Sequence, residues 1–384
     1  MNTAKIAGKG LSIVWNGMKT VTNKAGEITD IVLQSANTLP VNILMVGGKR
    51  CGKTSLLAAI NKESASFTSK GDLVISPNDP TLDNTLNEKI AEFNECFKHK
   101  QLYIPDGTPT SEPEQYTINA RIKNKNGTIA MNFLDVPGEW FNPKSPEFKD
   151  HQEKMQLYIN TSNILLISID TPHLMEESGD FNDAKNNAQN INWFIRNCIN
   201  FAEDKKGNIK NNRMILFVPM KCEKYLKEGR MNEVNLKIKE VYKTSIDFLT
   251  TGSNDGKCVV AITPVFTLIG AEFAYFGRND NQEIEKNGYG VPAKPLYRFD
   301  ASKEKAEFQD CEQPLLYILM FMLENARRIK DMKKIPVLSF FYKVGELFFK
   351  MPSAGDFMAQ QDLLKSSIKR NGDGYEIIQN PMDI

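Results

Sequence analysis

Eight residues at positions 47–54 have the composition and spacing of a loop that binds phosphate. They read Gly-Gly-Lys-Arg-Cys-Gly-Lys-Thr and match the pattern G-x-x-x-x-G-K-[ST]. Glycines let such a backbone form a nest of N–H groups around phosphate oxygens, while the lysine reaches the β- and γ-phosphates and the threonine ligates Mg²⁺. We therefore predict a site for a nucleoside triphosphate and Mg²⁺, whose phosphates contact Gly47, Gly48, Lys49, Arg50, Cys51, Gly52, Lys53, Thr54 and Ser55.

The segments on either side of this loop are those that the motif needs. Residues 41–46 form a short, mostly apolar segment, which predicts a buried strand. A helix is predicted from Thr54, with Leu56, Leu57 and Ile60 facing inward. The N-terminus of this helix would add the positive end of its dipole to the phosphate site.

A second motif, Asp-Val-Pro-Gly, occupies residues 135–138. An aspartate at the end of a strand can hold Mg²⁺, and a glycine three residues later can present its N–H to the γ-phosphate. We predict these roles for Asp135 and Gly138; the alternative is an ordinary strand followed by a turn. The order of phosphate loop, hairpin and Asp-x-x-Gly separates the chain from P-loop kinases and recombinase-like ATPases.

A third motif, Met-Lys-Cys-Glu, occupies residues 220–223, after a strand predicted at 214–218. Its place along the chain suggests a loop that recognises the base, with Lys221 and Glu223 as the contacting residues. The alternative is a strand end that turns into a charged surface helix. Thr-Pro-Val at 263–265 is a weaker candidate for backbone contacts to the base.

Helical and strand patterns alternate along most of the chain. Beyond the phosphate loop, helices are predicted around 82–100, 147–160, 183–203 and 232–249, and strands at 116–122, 128–134, 164–169, 214–218 and 258–262. Asn-Gly at 126–127 predicts the turn of a hairpin between the first two of these strands. The sequence therefore predicts an α/β fold with a mostly parallel, doubly wound sheet that contains one antiparallel hairpin strand.

In these motifs the chain resembles the Ras-like GTPases of the translation-factor-related class, over roughly residues 41–325. Residues 47–54 resemble the first motif of the family and 135–138 the third. Lys221 and Glu223 fall on the lysine and aspartate of its Asn-Lys-x-Asp motif, although Met220 stands in place of asparagine and Glu223 in place of aspartate. The resemblance implies GTP and GDP as ligands, with Mg²⁺.

Three further segments give a narrower resemblance, to bacterial GTPases of the double-GTPase type. They are Gly-Thr at 107–108, Asp-x-Pro-Gly-Glu at 135–139 and Glu-x-Pro-Leu-Leu at 312–316. That resemblance implies dedicated protein partners.

The residue patterns and the resemblance together predict a division of the chain. Residues 1–39 would be an N-terminal helical extension, with a helix over 8–35, and 40–330 a G domain with a helical insertion around 62–105. Residues 277–312 read as a long loop, followed by a helix over 313–332. Residues 331–384 would be a C-terminal helical extension, with a helix over 336–350, and a mobile tail.

Several residues bear on hydrolysis. The family has a switch threonine just before the hairpin that closes on Mg²⁺; we assign it to Thr108, with Thr110 as the alternative. Glu139 stands where the family has a water-positioning glutamine or histidine, so intrinsic hydrolysis should be slow. Lys49 or Arg50 would act as a cation supplied in cis to the γ-phosphate, or else both are exposed charges.

Two functions of different class follow. The first is a GTP-hydrolysing molecular switch that signals to a protein partner through loops near Thr108 and Glu139, or through its terminal helices. Residues 140–141 would then face the partner, unless they pack on the helix at 147–160. The second is a nucleotide-binding assembly or scaffold module with negligible turnover. A third hypothesis is an ATPase, which requires that residues 220–223 do not contact the base.

Charge and cysteine usage narrow the setting. The net charge of +1 gives no electrostatic case for nucleic acid. Six cysteines without Cys-x-x-Cys pairs argue against zinc or disulfides and favour a reducing cytoplasm. No uninterrupted apolar run is long enough to span a bilayer, so membrane contact would need an amphipathic segment or a partner and is not expected.

Overall fold

The computed structural model describes residues 20–22, 28–31, 38–69, 73–101, 112–122, 128–201, 212–288, 290–292, 295–331, 365–382 and 384. Its strands are β1 (Thr20–Thr22), β2 (Ile28–Ile31), β3 (Thr38–Val46), β4 (Leu73–Pro77), β5 (Glu114–Ile122), β6 (Thr128–Asp135), β7 (Ile164–Asp170), β8 (Arg213–Met220), β9 (Cys258–Ile262), β10 (Phe266–Ile269), β11 (Ala271–Phe276), β12 (Pro295–Phe299), β13 (Glu307–Gln309), β14 (Asn371–Gly372) and β15 (Tyr375–Gln379). Its α-helices are α1 (Lys53–Ser69), α2 (Pro80–His99), α3 (Pro146–Thr161), α4 (Thr171–Met175), α5 (Asn182–Asn186), α6 (Ala188–Cys198), α7 (Glu223–Lys227), α8 (Met231–Val241), α9 (Lys243–Thr250) and α10 (Gln313–Asp331).

Nine of these strands form one sheet in the order β14-β15-β9-β8-β7-β3-β6-β5-β4. The five central strands, from β9 to β6, run parallel to one another. The prediction of an α/β fold with a large, mostly parallel sheet is therefore confirmed. β5 pairs antiparallel with β6, and antiparallel pairs also add β4 at one edge and β15 and β14 at the other. The sheet thus contains more antiparallel pairing than the single hairpin strand that we predicted.

Apolar side chains cover both faces of the sheet. In β3, Val41, Ile43 and Met45 belong to one core cluster, whereas Leu44 and Val46 belong to the other. Helices α1, α2 and α10 pack on the first face, and α3, α6, α8 and α9 pack on the second. β7 and β8 are buried along their whole length, as expected for parallel strands that are covered on both sides.

The prediction of an N-terminal helix over residues 8–35 is wrong for the part of this range that the structure describes. Residues 20–22 and 28–31 form the antiparallel pair β1–β2 instead. Both segments are rich in threonine, valine and isoleucine, whose β-branched side chains disfavour helix and favour strand. The apolar spacing was helical, but residue type opposed it.

The predicted loop at 277–312 and the predicted mobile tail also differ from the structure. β12 and β13 lie within 277–312 and pair with β11 and β10, respectively. In the tail, β14 and β15 form a hairpin that joins the edge of the main sheet beside β9. Its two turn residues, Asp373 and Gly374, both have a positive φ. The run Asn-Gly-Asp-Gly at 371–374 was a hairpin signal that the sequence already carried.

Two smaller differences concern the helical segments. Strand β4 lies between α1 and α2, within the segment that was predicted as a purely helical insertion. The helix predicted over 183–203 is divided into α5 and α6 at Asn187, which has a left-handed φ of 54°. The Asn-Gly turn at 126–127 and the helix at 336–350 lie outside the described residues. In the part of the chain that is described, no helix has the length and apolarity to cross a membrane.

Candidate functional site

The phosphate loop connects the C-terminal end of β3 to the N-terminus of α1. Gly47 and Gly52 have φ angles of 153° and 108°, which an L side chain rarely adopts. A Cβ atom on Gly47 would lie 2.7 Å from the carbonyl oxygen of Ser168, at the end of β7. Within the loop, Cys51 is fully buried, and Ser55 is half-buried in the first turn of α1. The loop is therefore packed closely onto the ends of neighbouring strands.

Lys53 folds back over its own loop. Its ammonium donates to the carbonyl oxygen of Gly47 at 3.3 Å, and the side chain is 8% exposed. It also lies 3.6 Å from Asp135 Oδ1. Burial alone would lower the pKa of Lys53, but Asp135, Cys51 and Glu139 together outweigh it and the pKa is raised. The lysine is thus held as a cation at the loop.

Asp135 and Thr54 meet beside this lysine. The Thr54 hydroxyl donates to Asp135 Oδ2 at 2.9 Å. The register of β3 and β6 places Asp135 opposite Met45, two residues before the loop begins. Burial raises the pKa of Asp135, and Lys53 and Thr54 oppose that rise. A hydroxyl and a carboxylate in contact are oxygen donors of the kind that Mg²⁺ prefers, so this pair fits a magnesium site.

The segment after β6 touches the phosphate loop directly. Residues 138–141 form a 3₁₀ turn, and a Cβ atom on Gly138 would lie 2.1 Å from the backbone nitrogen of Lys49. Only glycine fits this approach. The Lys49 ammonium lies 2.5 Å from Glu139 Oε1, so these two residues, both predicted to bear on hydrolysis, form an ion pair with each other.

Trp140 and Phe141 are fully buried. The Trp140 ring stacks on His151 of α3 with 3.9 Å between ring centroids, and Phe141 contacts Phe194 of α6 edge-on. Of the two interpretations that the sequence left open, the structure favours packing on the helix over a partner-facing surface.

Lys221 joins the third motif to the phosphate loop. Its ammonium donates to the carbonyl oxygen of Arg50 at 3.1 Å and to Asp170 Oδ2 at 2.6 Å. Burial would lower the pKa of Lys221, but Asp170, with smaller influences from Tyr297 and Cys51, outweighs it and the pKa is raised. Met220 is buried, and its terminal methyl would lie 3.2 Å from a Cβ atom on Gly52. This strand end is therefore packed against the loop.

Glu223 is directed elsewhere. It lies in the first turn of α7, is 5% exposed, and accepts a hydrogen bond from the backbone N–H of Leu268 in β10 at 2.8 Å. Burial raises the pKa of this carboxyl to about 7. The structure thus brings Lys221 to the phosphate loop and leaves the Glu223 side chain bonded to the β10 backbone.

This burial predicts a pH dependence of stability. Because the folded-state pKa of Glu223 is about 7 against an ordinary 4.5, the folded protein holds a proton that the unfolded chain releases. The stabilisation is complete below pH 4.5 and disappears as the pH rises through 7. We expect the free energy of unfolding of the wild type, relative to Glu223→Gln, to fall by on the order of 3 kcal/mol across this window. Urea denaturation of both proteins as a function of pH measures it, and a pH-independent difference would contradict the buried carboxyl.

Sequence reasoning missed Asp170 and the segment that follows it. Asp170 ends β7, is fully buried, and accepts from His173 Nδ1 and Lys221 at 2.6 Å each. Burial would raise the pKa of Asp170, but His173 and the lysines hold it well below its usual value. The Asn186 side chain accepts from the Asp170 backbone N–H at 2.8 Å. The position of Asp170 at the end of an apolar strand could have marked it as a candidate site residue. No sequence feature marked Asn186.

The remaining site residues are placed as follows. Gly48 lies against the backbone of α5, where a Cβ atom would be 1.7 Å from the carbonyl oxygen of Lys185. Arg50 has a left-handed φ of 57° and turns the loop. The proposed switch threonine, Thr108 or Thr110, lies outside the described residues.

Neither a protein-family model nor a curated protein matches the chain. Among solved structures, it is similar to the S. cerevisiae Ski7 GTPase-like domain, crystallised with GDP and inorganic phosphate. The sequence identity is 11% and the TM-score is 0.32. The match covers 59% of this chain and 43% of that chain, so it spans less than half the length of the Ski7 structure.

Proposed function

We propose that this protein binds GTP with Mg²⁺ at the loop 47–54 and hydrolyses it slowly to GDP and phosphate. The observation that carries this proposal is the contact among Lys53, Thr54 and Asp135, which joins the phosphate loop to the end of β6. An anion bound in the loop would meet the ammonium of Lys53. The metal would be held by the Thr54 hydroxyl and the Asp135 carboxylate, where it would neutralise phosphate charge.

The residues of the chain have separate parts in the reaction that we propose. Water attacks the γ-phosphorus, the bond to the bridging β–γ oxygen breaks, and GDP leaves. Lys53 stabilises the charge that gathers on the phosphate oxygens, and the backbone N–H of Gly138 would face the same group. In this reaction Glu139 would position the attacking water, and Thr108 would close over the metal.

A nucleotide-binding assembly module with negligible turnover is the second candidate function. The Lys49–Glu139 ion pair favours it, because that pair commits Glu139 to a cation and away from water. Phosphate release from GTP, followed over hours under single-turnover conditions, separates the two. Slow release above the buffer rate supports the GTPase, whereas bound GTP that stays intact supports the assembly module.

Glu139→Gln is expected to hydrolyse GTP at least as fast as the wild type and up to roughly tenfold faster. The substitution removes a negative charge near the γ-phosphate, and a change of about 1.4 kcal/mol in the barrier is tenfold in rate. Single-turnover hydrolysis measures the rate, with Glu153→Gln on the exposed face of α3 as the matched control. A rate that collapses in Glu139→Gln alone would show that the carboxylate is an essential base or water anchor.

A preference for guanine over adenine is part of the proposal. Lys221 supports it, since its ammonium donates to the loop carbonyl of Arg50, where a base-recognising lysine is expected. Glu223 is proposed as the guanine acceptor, whereas in this structure its Oε1 accepts a hydrogen bond from the Leu268 N–H. The preference and the role of Glu223 are therefore separate questions, and competition between GTP and ATP in the wild type and in Glu223→Ala answers both.

The biological role that we propose is that of a cytoplasmic bacterial switch of the double-GTPase type. GTP and Mg²⁺ would order the loops near Thr108 and Glu139, and hydrolysis would release them to a dedicated protein partner. Because Trp140 and Phe141 are buried, that partner would contact the outer surface of these loops or a terminal extension. Neither nucleic acid nor a membrane is a proposed partner.

A further inference from the structure

Lys185 is a buried cation at the site to which the proposed mechanism gives no part. It lies on α5, its side chain is 11% exposed, and its ammonium is 3.9 Å from Asp170 Oδ2. That distance is too long for a hydrogen bond. Within the described residues, no protein group accepts a hydrogen bond from this ammonium.

Asp170 has little capacity left for this lysine. Its Oδ1 accepts from His173 Nδ1 and its Oδ2 accepts from Lys221, both at 2.6 Å. Two ammonium groups therefore share one fully buried carboxylate. A buried cation without a full counter-charge is costly, and burial lowers the pKa of Lys185 to about 8. The cluster can accommodate a further negative charge.

The phosphate loop is the backbone next to Lys185. The carbonyl of Lys185 occupies the space where Gly48 would carry a Cβ atom. Burial raises the pKa of the Cys51 thiol, and the opposing influence comes from the ammonium groups of Lys53, Lys185 and Lys221. Three lysine ammonium groups thus act electrostatically on this short loop, and of these Lys185 has the longest distance to a carboxylate, 3.9 Å.

We propose that Lys185 binds the phosphate tail of the nucleotide as a cation that complements Lys53. This inference rests on the proposed nucleotide binding and adds a residue to the same site. Phosphate is the anion that the adjoining loop is suited to hold, and it would supply both the counter-charge and the hydrogen-bond acceptors that Lys185 lacks. The cation comes from the segment after β7, outside the loop motif.

The test compares guanosine, GMP, GDP and GTP, each with Mg²⁺, and inorganic phosphate as ligands of four full-length proteins. They are the wild type, Lys185→Met, Lys185→Arg and the control Lys243→Met, whose lysine is exposed and pairs with Asp247 on α9. We expect Lys185→Met to weaken GTP binding by roughly 10- to 100-fold, the value of one charge-assisted contact. The loss should shrink from GTP to GMP and vanish for guanosine, and Lys185→Arg should recover most of it. Competition by inorganic phosphate shows whether the tail or free phosphate is the ligand.

Two results would overturn the proposal. One is an equal loss for guanosine, GMP, GDP and GTP, which would mean that Lys185 only positions Asp170 and Lys221. The other is unchanged affinity for GTP. Without nucleotide, the melting temperature of Lys185→Met should equal or exceed that of the wild type, because an incompletely paired buried charge is removed; a variant that fails to fold would therefore also contradict the argument. A wild type that binds no nucleotide refutes the proposed function itself, which is a distinguishable outcome.

Discussion

Alanine in place of Lys53 is expected to abolish nucleotide binding while the protein stays folded. The substitution removes the ammonium that would contact the β- and γ-phosphates, and two charge-assisted contacts of about 1.5–3 kcal/mol each amount to a loss of at least about a hundredfold. The fold should survive because Asp135 keeps the hydrogen bond from the Thr54 hydroxyl. Calorimetric titration with GTP and Mg²⁺ measures the affinity, and thermal unfolding measures the stability.

The matched control is Lys62→Ala, which removes an exposed lysine from the same helix. It should bind GTP as the wild type does. If folded Lys53→Ala retained wild-type affinity, residues 47–54 would not be the phosphate site. If the variant unfolds, Lys53→Arg keeps a charge beside Asp135, and it should fold yet bind more weakly, because a guanidinium is larger than an ammonium.

Alanine in place of Asp135 is expected to remove most of the Mg²⁺ dependence of GTP binding. In the wild type the carboxylate and Thr54 would serve the metal together, so affinity in Mg²⁺ should fall by roughly tenfold or more. In EDTA the affinity should change little, since Asp135 does not itself attract phosphate. Parallel titrations in Mg²⁺ and in EDTA measure the two effects.

Asp150→Ala, on the exposed face of α3, controls for the loss of one negative charge. Asp135→Asn keeps an acceptor for the Thr54 hydroxyl, so it separates the charge from the hydrogen bond. If Asp135→Ala weakened binding equally with and without Mg²⁺, Asp135 would hold the loop in place and would not serve a metal.

The meeting of Lys53, Thr54 and Asp135 was predictable because both motifs are short strings at the ends of buried strands. Parallel neighbours in a sheet end at the same edge, and the register of β3 and β6 brings the two motifs together. The mostly parallel sheet followed from the same apolar runs. The local sequence was sufficient for this prediction because each motif is placed by the strand that directly precedes it.

Contacts between distant segments could not be read in this way. Glu223 has one methylene more than aspartate, and its carboxylate bonds to Leu268, 45 residues further along the chain. The backbone carbonyl of Lys185 meets the loop at Gly48 only because α5 packs there. The helix predicted over residues 20–22 and 28–31 was wrong for another reason. The apolar residues there have helical spacing, but the β-branched residue types favour strands, and strands form.

The most direct measurement is a titration of the purified wild-type protein with GTP and Mg²⁺, followed by competition with ATP. We expect saturable binding at one site per chain, with ATP displacing GTP only at about a hundredfold higher concentration, as one or two charge-assisted contacts to guanine would give. Equal competition by ATP would leave a nucleotide site without base selection. A folded protein that binds neither nucleotide would contradict the assignment of residues 47–54 as a phosphate site, and with it the function proposed for this chain.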